Sequence, residues 1–280
     1  MVLVAKPAGP TSHDVVDIVR RALGVRRVGH LGTLDPFAAG LLVLVVGRAT
    51  RLATFAAGWS KAYDGVIRLG VTTDTDDGTG RVLNAVPGAV EEAQVARVMA
   101  SFRGSYEQRP PAYSAVKIAG ERAYARARRG EIVEPAPRRV DIRSLEMTGF
   151  AAPDVRFAAV VSGGTYLRSL ARDIGEALGC GAHLAALRRT AVGELQLADA
   201  VAPEAVTAAH VRGPAILVRG LERREVSADE RAAVVHGRPI SADPVPDTRY
   251  PVAVFAGAEL VAVADREGDR LKPRVVVGEA

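Results

Sequence analysis

Cysteine is nearly absent from this chain: Cys180 is the only one in 280 residues. An internal disulfide is therefore excluded, and a reducing cytoplasm is the expected compartment. Set between Gly179 and Gly181, Cys180 reads as a small packed residue rather than a nucleophile. One cysteine and five scattered histidines cannot build a usual zinc site. Long apolar runs are also missing; Leu41 to Gly47 is too short to span a bilayer. The N-terminus lacks the charged, apolar and small-residue regions of a signal peptide. Neither a P-loop nor a dinucleotide fingerprint is present, because Gly29-x-x-Gly32 has no third glycine. The acidic stretch Asp74-Thr75-Asp76-Asp77-Gly78 has its glycine at position five and Ala85 at position twelve, so it lacks the ligand spacing of an EF-hand. It reads as a solvated acidic turn. No internal repeat or low-complexity segment occurs.

What is present is ordinary globular composition, 48% hydrophobic and 25% charged, with a net charge of +5. The length fits one large domain plus a small one, or two of medium size. The charge is uneven. Between Arg109 and Arg139 lie eight basic and three acidic residues, so this window alone carries as much net charge as the whole chain. A polyanionic partner fits such a distribution.

Val2 to Ala5 reads as a strand. Thr11 or Ser12 caps a helix that runs to about Leu23 and stops at Gly24. Leu41 to Val46 is a continuous apolar run, expected as a buried strand. Thr50 to Ala57 reads as a short helix, Tyr63 to Val71 as a strand, and Thr72 to Gly80 as a polar loop. Val90 to Phe102 is an amphipathic helix. Arg109-Pro110-Pro111 breaks the pattern, and the basic window follows as an insert with a short helix over 121–129. Val140 to Phe150 and Val155 to Val161 read as paired strands, and Gly163-Gly164 leads into a helix over 165–178. A boundary falls near Arg212-Gly213-Pro214. Beyond it, Ser227 and Glu230 form a capping box, and short strands follow at Val252 to Phe255, Leu260 to Ala264 and Arg274 to Val277. Pattern alone does not separate a mixed sheet from a doubly wound one.

Three segments carry chemical potential. In Gly29-His30-Leu31-Gly32-Thr33-Leu34-Asp35-Pro36, two glycines permit a tight turn and Pro36 keeps Asp35 extended. A carboxylate on a stiff loop beside Arg26 and Arg27 suits a nucleophile that works on a polyanion. The same carboxylate could simply bond its own backbone, the commonest role of Asp in a loop, and it has no second carboxylate nearby for glycosidase chemistry. In Gly163-Gly164-Thr165-Tyr166-Leu167-Arg168, Arg168 sits in the first helical turn, where the dipole disfavours a cation. Asp35 is the anion expected to offset it. Tyr166 is either core or an aromatic wall for a base. In Lys61-Ala62-Tyr63-Asp64-Gly65, Tyr63 either stacks on an extruded base or simply favours a strand.

Taken in order, the segments Lys6-Pro7-x-Gly9-x-Thr11-Ser12, Gly29 to Pro36 with Gly40, Lys61-x-Tyr63, Thr73-Asp74-Thr75-Asp76, Pro111-x-Tyr113-Ser114-Ala115-x-Lys117, Gly164 to Arg168 and Leu187-Arg188-Arg189 resemble the bacterial TruB-type tRNA pseudouridine synthases. That family isomerises uridine 55 in the T arm of tRNA. The resemblance covers about residues 3 to 195. It implies an α/β (α+β) core of mixed, largely antiparallel sheet flanked by helices over residues 1–212, with 109–139 as an RNA-binding insert. Residues 213–280 more weakly resemble a PUA-like RNA-binding domain. It implies Asp35 as nucleophile, Arg168 as its partner, and Tyr63 and Tyr166 as active-site aromatics. It further implies that His30 fills the space left by flipped nucleotides and that Lys6, Arg51, Lys61, Lys117 and Arg122 contact the RNA. The chain departs from the family at Ala5, where many members carry Asp, and at Arg51, where many carry Lys.

The reaction so implied breaks N1–C1′ and forms C5–C1′ with the same uracil. It needs no cofactor and no metal, because nothing is oxidised or added. The carboxylate could attack C1′, attack C6, or remove a ribose proton. The resemblance also implies a cytoplasmic monomer that needs no protein partner. Two other readings share these residues. One is a tRNA-folding chaperone that binds and unfolds the T arm. The other is a guide-RNA-dependent synthase subunit, disfavoured because Val2 already begins the first strand.

Overall fold

The structure is a computed structural model that describes residues 1–86, 90–114, 116–118, 121–123, 126, 129, 131, 133, 135–242 and 251–279. Strand β1 (Val2–Lys6) leads into helix α1 (Ser12–Leu23). The Thr11 hydroxyl accepts from Asp14 N and the Asp14 carboxylate accepts from Thr11 N, closing a capping box. Arg20 and Arg21 occupy the last turn, where the dipole favours cations, and Gly24 ends the helix at φ 63°. Strands β2 (Val28–His30), β3 (Ala39–Val46), β4 (Lys61–Leu69), β5 (Val71–Thr73), β6 (Val82–Ala85) and β7 (Gly104–Gln108) follow, with α2 (Glu92–Ser101) before β7. Strands β8 (Lys117–Ile118) and β9 (Glu121–Arg122) form a small pair. Next come β10 (Arg138–Ala151), β11 (Asp154–Val161), α3 (Leu167–Ala177), β12 (Ala182–Val192) and β13 (Leu195–Gln196). The C-terminal part contains β14 (Glu222–Glu225), α4 (Ala228–Val235), β15 (Ile240–Ser241), β16 (Val252–Ala256), β17 (Glu259–Glu267) and β18 (Arg270–Val276).

The main sheet runs β1-β3-β12-β4-β11-β10-β7, with β2 on β3 and β13 on β12. All its pairings are antiparallel except β12 on β3, where Arg188 and Arg189 lie opposite Ala39 and Gly40. This is the expected mixed, largely antiparallel sheet. The unbroken apolar run of β3 has a direct cause, because both of its faces are buried. Leu42 and Leu44 enter the cluster that contains Val15, Val16 and Val19 of α1. Leu41, Val43 and Val45 enter a second cluster with Ala253, Phe255, Val263 and Val275 of the C-terminal sheet. The tail is therefore packed on the outer face of β1 and β3 rather than tethered. Its own sheet runs β14-β16-β17-β18-β15, and the Ser227–Glu230 capping box starts α4 as expected.

Several elements differ from expectation. The helix expected over 50–57 is a 3-10 segment, Gly47–Ala56. The strand expected over 63–71 breaks at Gly70, which adopts φ 78° and exchanges backbone bonds with Gly181 and Val86. The helix expected over 121–129 lies largely outside the described residues, and its first two residues pair as β9. The central strand β12 was not legible: Ala-His-Leu-Ala-Ala-Leu-Arg-Arg is rich in helix formers. Pairing with β3 on one side and β4 on the other overrides that preference. Among the described residues, no helix is long and apolar enough to cross a membrane.

Gly40 shows how tightly the parallel junction is built. It adopts φ 110°, and a Cβ there would lie 2.2 Å from the Arg189 carbonyl oxygen. Gly40→Ala is expected to lower the unfolding free energy by about 3 kcal/mol or more, from strain and overpacking together. The check is the urea midpoint at unchanged slope; an unmoved midpoint would mean that β3 and β12 separate without cost.

Candidate active site

Asp35 lies at the end of a loop that is fixed from three sides. Ser12 Oγ donates to Leu34 O and accepts from Leu34 N, both at 2.9 Å. Lys6, at 2% exposure, turns inward and donates to the carbonyls of Pro7 (2.9 Å), Pro10 (2.7 Å) and Pro36 (3.3 Å). Arg189, fully buried, donates to the carbonyls of Leu41 (2.7 Å), Gly32 (3.1 Å) and Thr33 (3.3 Å). Gly32 adopts φ 100° against the Lys61 side chain, so glycine is required there. The loop backbone is thus held by two buried cations through its carbonyl oxygens. Burial lowers the Lys6 pKa, and the Asp35 charge acts in the opposite direction.

Arg168 enters from the first turn of α3. Its Nε donates to Asp35 Oδ2 at 2.9 Å and Nη2 to Asp35 Oδ1 at 3.2 Å, a bidentate pair. Nη1 donates to Thr75 O at 2.9 Å and lies 3.6 Å from Asp77 Oδ2. Nη2 also donates to Tyr113 O at 2.9 Å. The Arg168 side chain is 6% exposed, that of Asp35 33%. One oxygen-rich end of the pair is therefore open while the guanidinium is enclosed. The anion expected to offset Arg168 against the helix dipole is Asp35, with Asp77 as a second that the sequence reading missed.

The acidic turn is only partly solvated: Gly78 and Thr79 are exposed, but Asp76 and Asp77 turn inward. Asp77 is buried and accepts from Thr75 Oγ1 (2.9 Å), Thr79 N (3.0 Å) and Thr79 Oγ1 (2.6 Å). Asp76, at φ 60°, pairs with Arg172 at 3.0 Å. Burial raises the Asp76 pKa, opposed by the charges of Arg172 and Arg168. The reason for the correction is tertiary: the turn folds back onto α3, whose Arg168 and Arg172 lie beside its carboxylates. Arg172 and Ser169 of the same helix also donate to the Arg109 carbonyl, at 2.9 and 2.8 Å, anchoring the start of the basic insert.

The remaining expected residues are placed as follows. Tyr63 is nearly buried in the first apolar cluster. Tyr166 immediately precedes α3, two residues before Arg168. The Nδ1 of His30 is buried without a protein partner, and burial, followed by the Arg189 charge, lowers its pKa. Lys61 donates to Trp59 O at 3.2 Å, and burial with the Arg189 charge lowers its pKa to about 8. Arg51 is exposed and donates to Arg274 O of the tail at 3.0 Å. Lys117 and Arg122 are register partners in the insert, their side chains outside the described residues. Lys6, expected to contact RNA, is buried beneath the Asp35 loop with its ammonium on three carbonyls. Arg189 and Gln108, both fully buried, were not singled out in the sequence. The only signal for Arg189 was its place in Leu187-Arg188-Arg189. Among the described residues, no group of three or more His, Cys, Asp or Glu is arranged to hold a metal ion.

Residues 20–167 match the family model described as TruB family pseudouridylate synthase (N terminal domain), and residues 168–215 match that of the tRNA pseudouridylate synthase B C-terminal domain. The tRNA pseudouridine synthase B of Thermobifida fusca (strain YX) is 44% identical over 288 residues, covering 99% of this chain and 97% of that protein. The enzyme of the same name from Opitutus terrae is 46% identical over 209 residues, covering 74% of this chain and 87% of that protein. Among solved structures, one in a Cbf5–Nop10–Gar1 complex superposes with a TM-score of 0.72 at 26% identity, covering 98% of this chain and 84% of the other. By the extent of the family match and of the full-length relatives, this chain belongs to the TruB family of pseudouridylate synthases.

Proposed function

We propose that the protein isomerises uridine 55 in the T arm of tRNA to pseudouridine, with Asp35 as the nucleophile on an extruded base. The observation that carries this reading is the bidentate pair in which a buried Arg168 presents a partly open Asp35 carboxylate. A guanidinium that orients both carboxylate oxygens fixes the attack geometry before substrate arrives. Isomerisation cleaves N1–C1′, lets the freed uracil turn, joins C5 to C1′, and releases the C5 proton. Whether the first step is at C1′, at C6 or at a ribose proton, the acting group is one positioned carboxylate. Extrusion of the base costs a few kcal/mol, offset by stacking and phosphate contacts.

In this reading Tyr166 borders the base, Tyr63 meets it once RNA binding exposes its ring, and His30 occupies the space vacated by the flipped nucleotides. Lys61, Arg51, Lys117 and Arg122 contact the RNA backbone, while Lys6 supports the nucleophile loop. Residues 1–212 form the catalytic domain with 109–139 as its insert, and 213–280 a PUA-like domain. The protein acts as a monomer in the cytoplasm. The electrostatic attraction belongs to the insert. The segment 213–280 has ten basic and eleven acidic residues, so its contribution to RNA binding is not one of net charge.

The direct test uses a tRNA transcript tritiated at C5 of uracil. The intact chain should release tritium, whereas Asp35→Asn should lose at least about 10³-fold in rate and keep its tRNA affinity within about threefold. An active Asp35→Asn would remove Asp35 from the nucleophile role. Replacing Lys117 and Arg122 together by alanine should weaken binding and reduce the slope of log K against log salt by about 2, with the bound-state rate unchanged. Lys61 adds a pH signature. Its pKa is about 8 in the free protein, and a phosphate contact would raise it, so binding would take up a proton above that pH. Affinity should fall as pH rises from 8 to 9.5, and Lys61→Met should flatten that slope; an equal slope in both proteins would exclude the contact.

A further inference from the structure

The basic insert leaves the main sheet after Gln108 and returns at Arg138, and these two residues are register partners across β7 and β10. Both touch Tyr166. Gln108 is fully buried: its Oε1 accepts from Tyr166 N at 2.8 Å and its Nε2 donates to Tyr166 O at 3.1 Å. The side-chain amide thus mimics a strand partner for one residue. Tyr166 is the N-cap of α3 and makes no side-chain cap of its own, so the backbone N–H and C=O of this cap residue are held from outside by Gln108. Gln108 Nε2 also donates to Tyr106 Oη at 2.5 Å, which donates to Asp173 Oδ2 of α3 at 3.2 Å. Burial and the Asp173 charge raise the Tyr106 pKa, which keeps that hydroxyl a donor. Arg138 lies over the Tyr166 ring, 4.7 Å from guanidinium carbon to centroid, and its Nε is buried without a protein partner. One neck residue grips the Tyr166 backbone and the other covers its ring.

We propose that Gln108 and Arg138 are positioning residues that fix Tyr166 and the first turn of α3, so that the neck of the insert sets the geometry of the active site. This rests on the reading of Tyr166 as an active-site aromatic. Two residues beyond Tyr166, Arg168 binds Asp35 and also donates from Nη2 to Tyr113 O of the insert. A shift of the neck therefore reaches the Asp35–Arg168 pair through one turn of helix. The chemistry of Arg138 is specific. A planar guanidinium can lie flat on a ring, which an ammonium cannot do equally well.

The test is single-turnover tritium release at saturating tRNA, with affinity measured in parallel, for the full chain, Arg138→Ala, Arg138→Lys, Tyr166→Leu and the Arg138→Ala/Tyr166→Leu pair. Arg138→Ala should slow turnover about tenfold while tRNA affinity changes less than about twofold, and lysine should not rescue it. In the Tyr166→Leu background the same change should cost less than about twofold, because the residue it acts through is gone. Equal costs in both backgrounds would overturn the proposal. So would a loss of affinity with a reduced salt slope and rescue by lysine, which would make Arg138 a phosphate contact. An inactive full chain would remove the functional reading itself, whereas an active full chain with an indifferent Arg138→Ala removes only this inference. Gln108 is followed without activity: Gln108→Met should speed amide hydrogen exchange at 165–168 at least about tenfold with β3 and β12 unchanged. Unchanged exchange at 165–168 would exclude the Gln108 grip; should methionine prevent folding, Gln108→Ala, which also removes the acceptor for Tyr166 N, is measured in its place with the same two outcomes.

Discussion

The guanidinium of Arg168 is the point where four distant segments meet. It contacts the Asp35 loop, the turn at Thr75 and Asp77, the foot of the insert at Tyr113, and its own helix α3. A planar cation with five N–H groups suits this task because each donor has a fixed direction. Enclosing it carries a desolvation cost, met here by two carboxylates and two carbonyls. The same contact is structural and chemical: it closes the fold around α3 and presents one carboxylate with its other side open.

Beneath that contact lies a second layer of cations that carry no substrate role in this reading. Lys6 and Arg189 bind only carbonyl oxygens of the loop and its flanks. Their charges are felt by neighbours: Arg189 depresses the Lys6, His30 and Lys61 pKa values. The loop is thereby stiff, and the region around it is electropositive. A polyanionic substrate gains from both properties, the first through preorganisation and the second through its phosphates.

The C-terminal sheet contributes through packing. Its apolar side covers the outer face of β1 and β3, whose inner face packs on α1. Strand β3, which follows the nucleophile loop in the chain, is thus clamped on both faces. Arg48 and Arg51 add polar ties to Gly278 and Arg274 of the tail. With its charges nearly balanced, the tail supports the scaffold on which the basic insert acts.

Much of this molecule was set by local chemistry and could be read from the chain. Thr11 or Ser12 and Gly24 mark α1 because caps depend on a few adjacent residues, and the apolar run of β3 marks a buried strand. Asp35 stood out because glycines permit a tight turn and Pro36 restricts Asp35 to extended backbone, and Arg168 because a cation in a first helical turn calls for an anion. The ordered motifs gave the family. Tertiary structure alone decided β12, whose helix-forming sequence yields to pairing on both edges. It turned Lys6 inward, drew Asp77 out of an apparently solvated turn, and buried Arg189 and Gln108. Each of these depends on partners far away in the chain, such as Pro36 for Lys6 or Tyr166 for Gln108. Burial and hydrogen-bond partnership are properties of the folded contact set, and no local pattern encodes them.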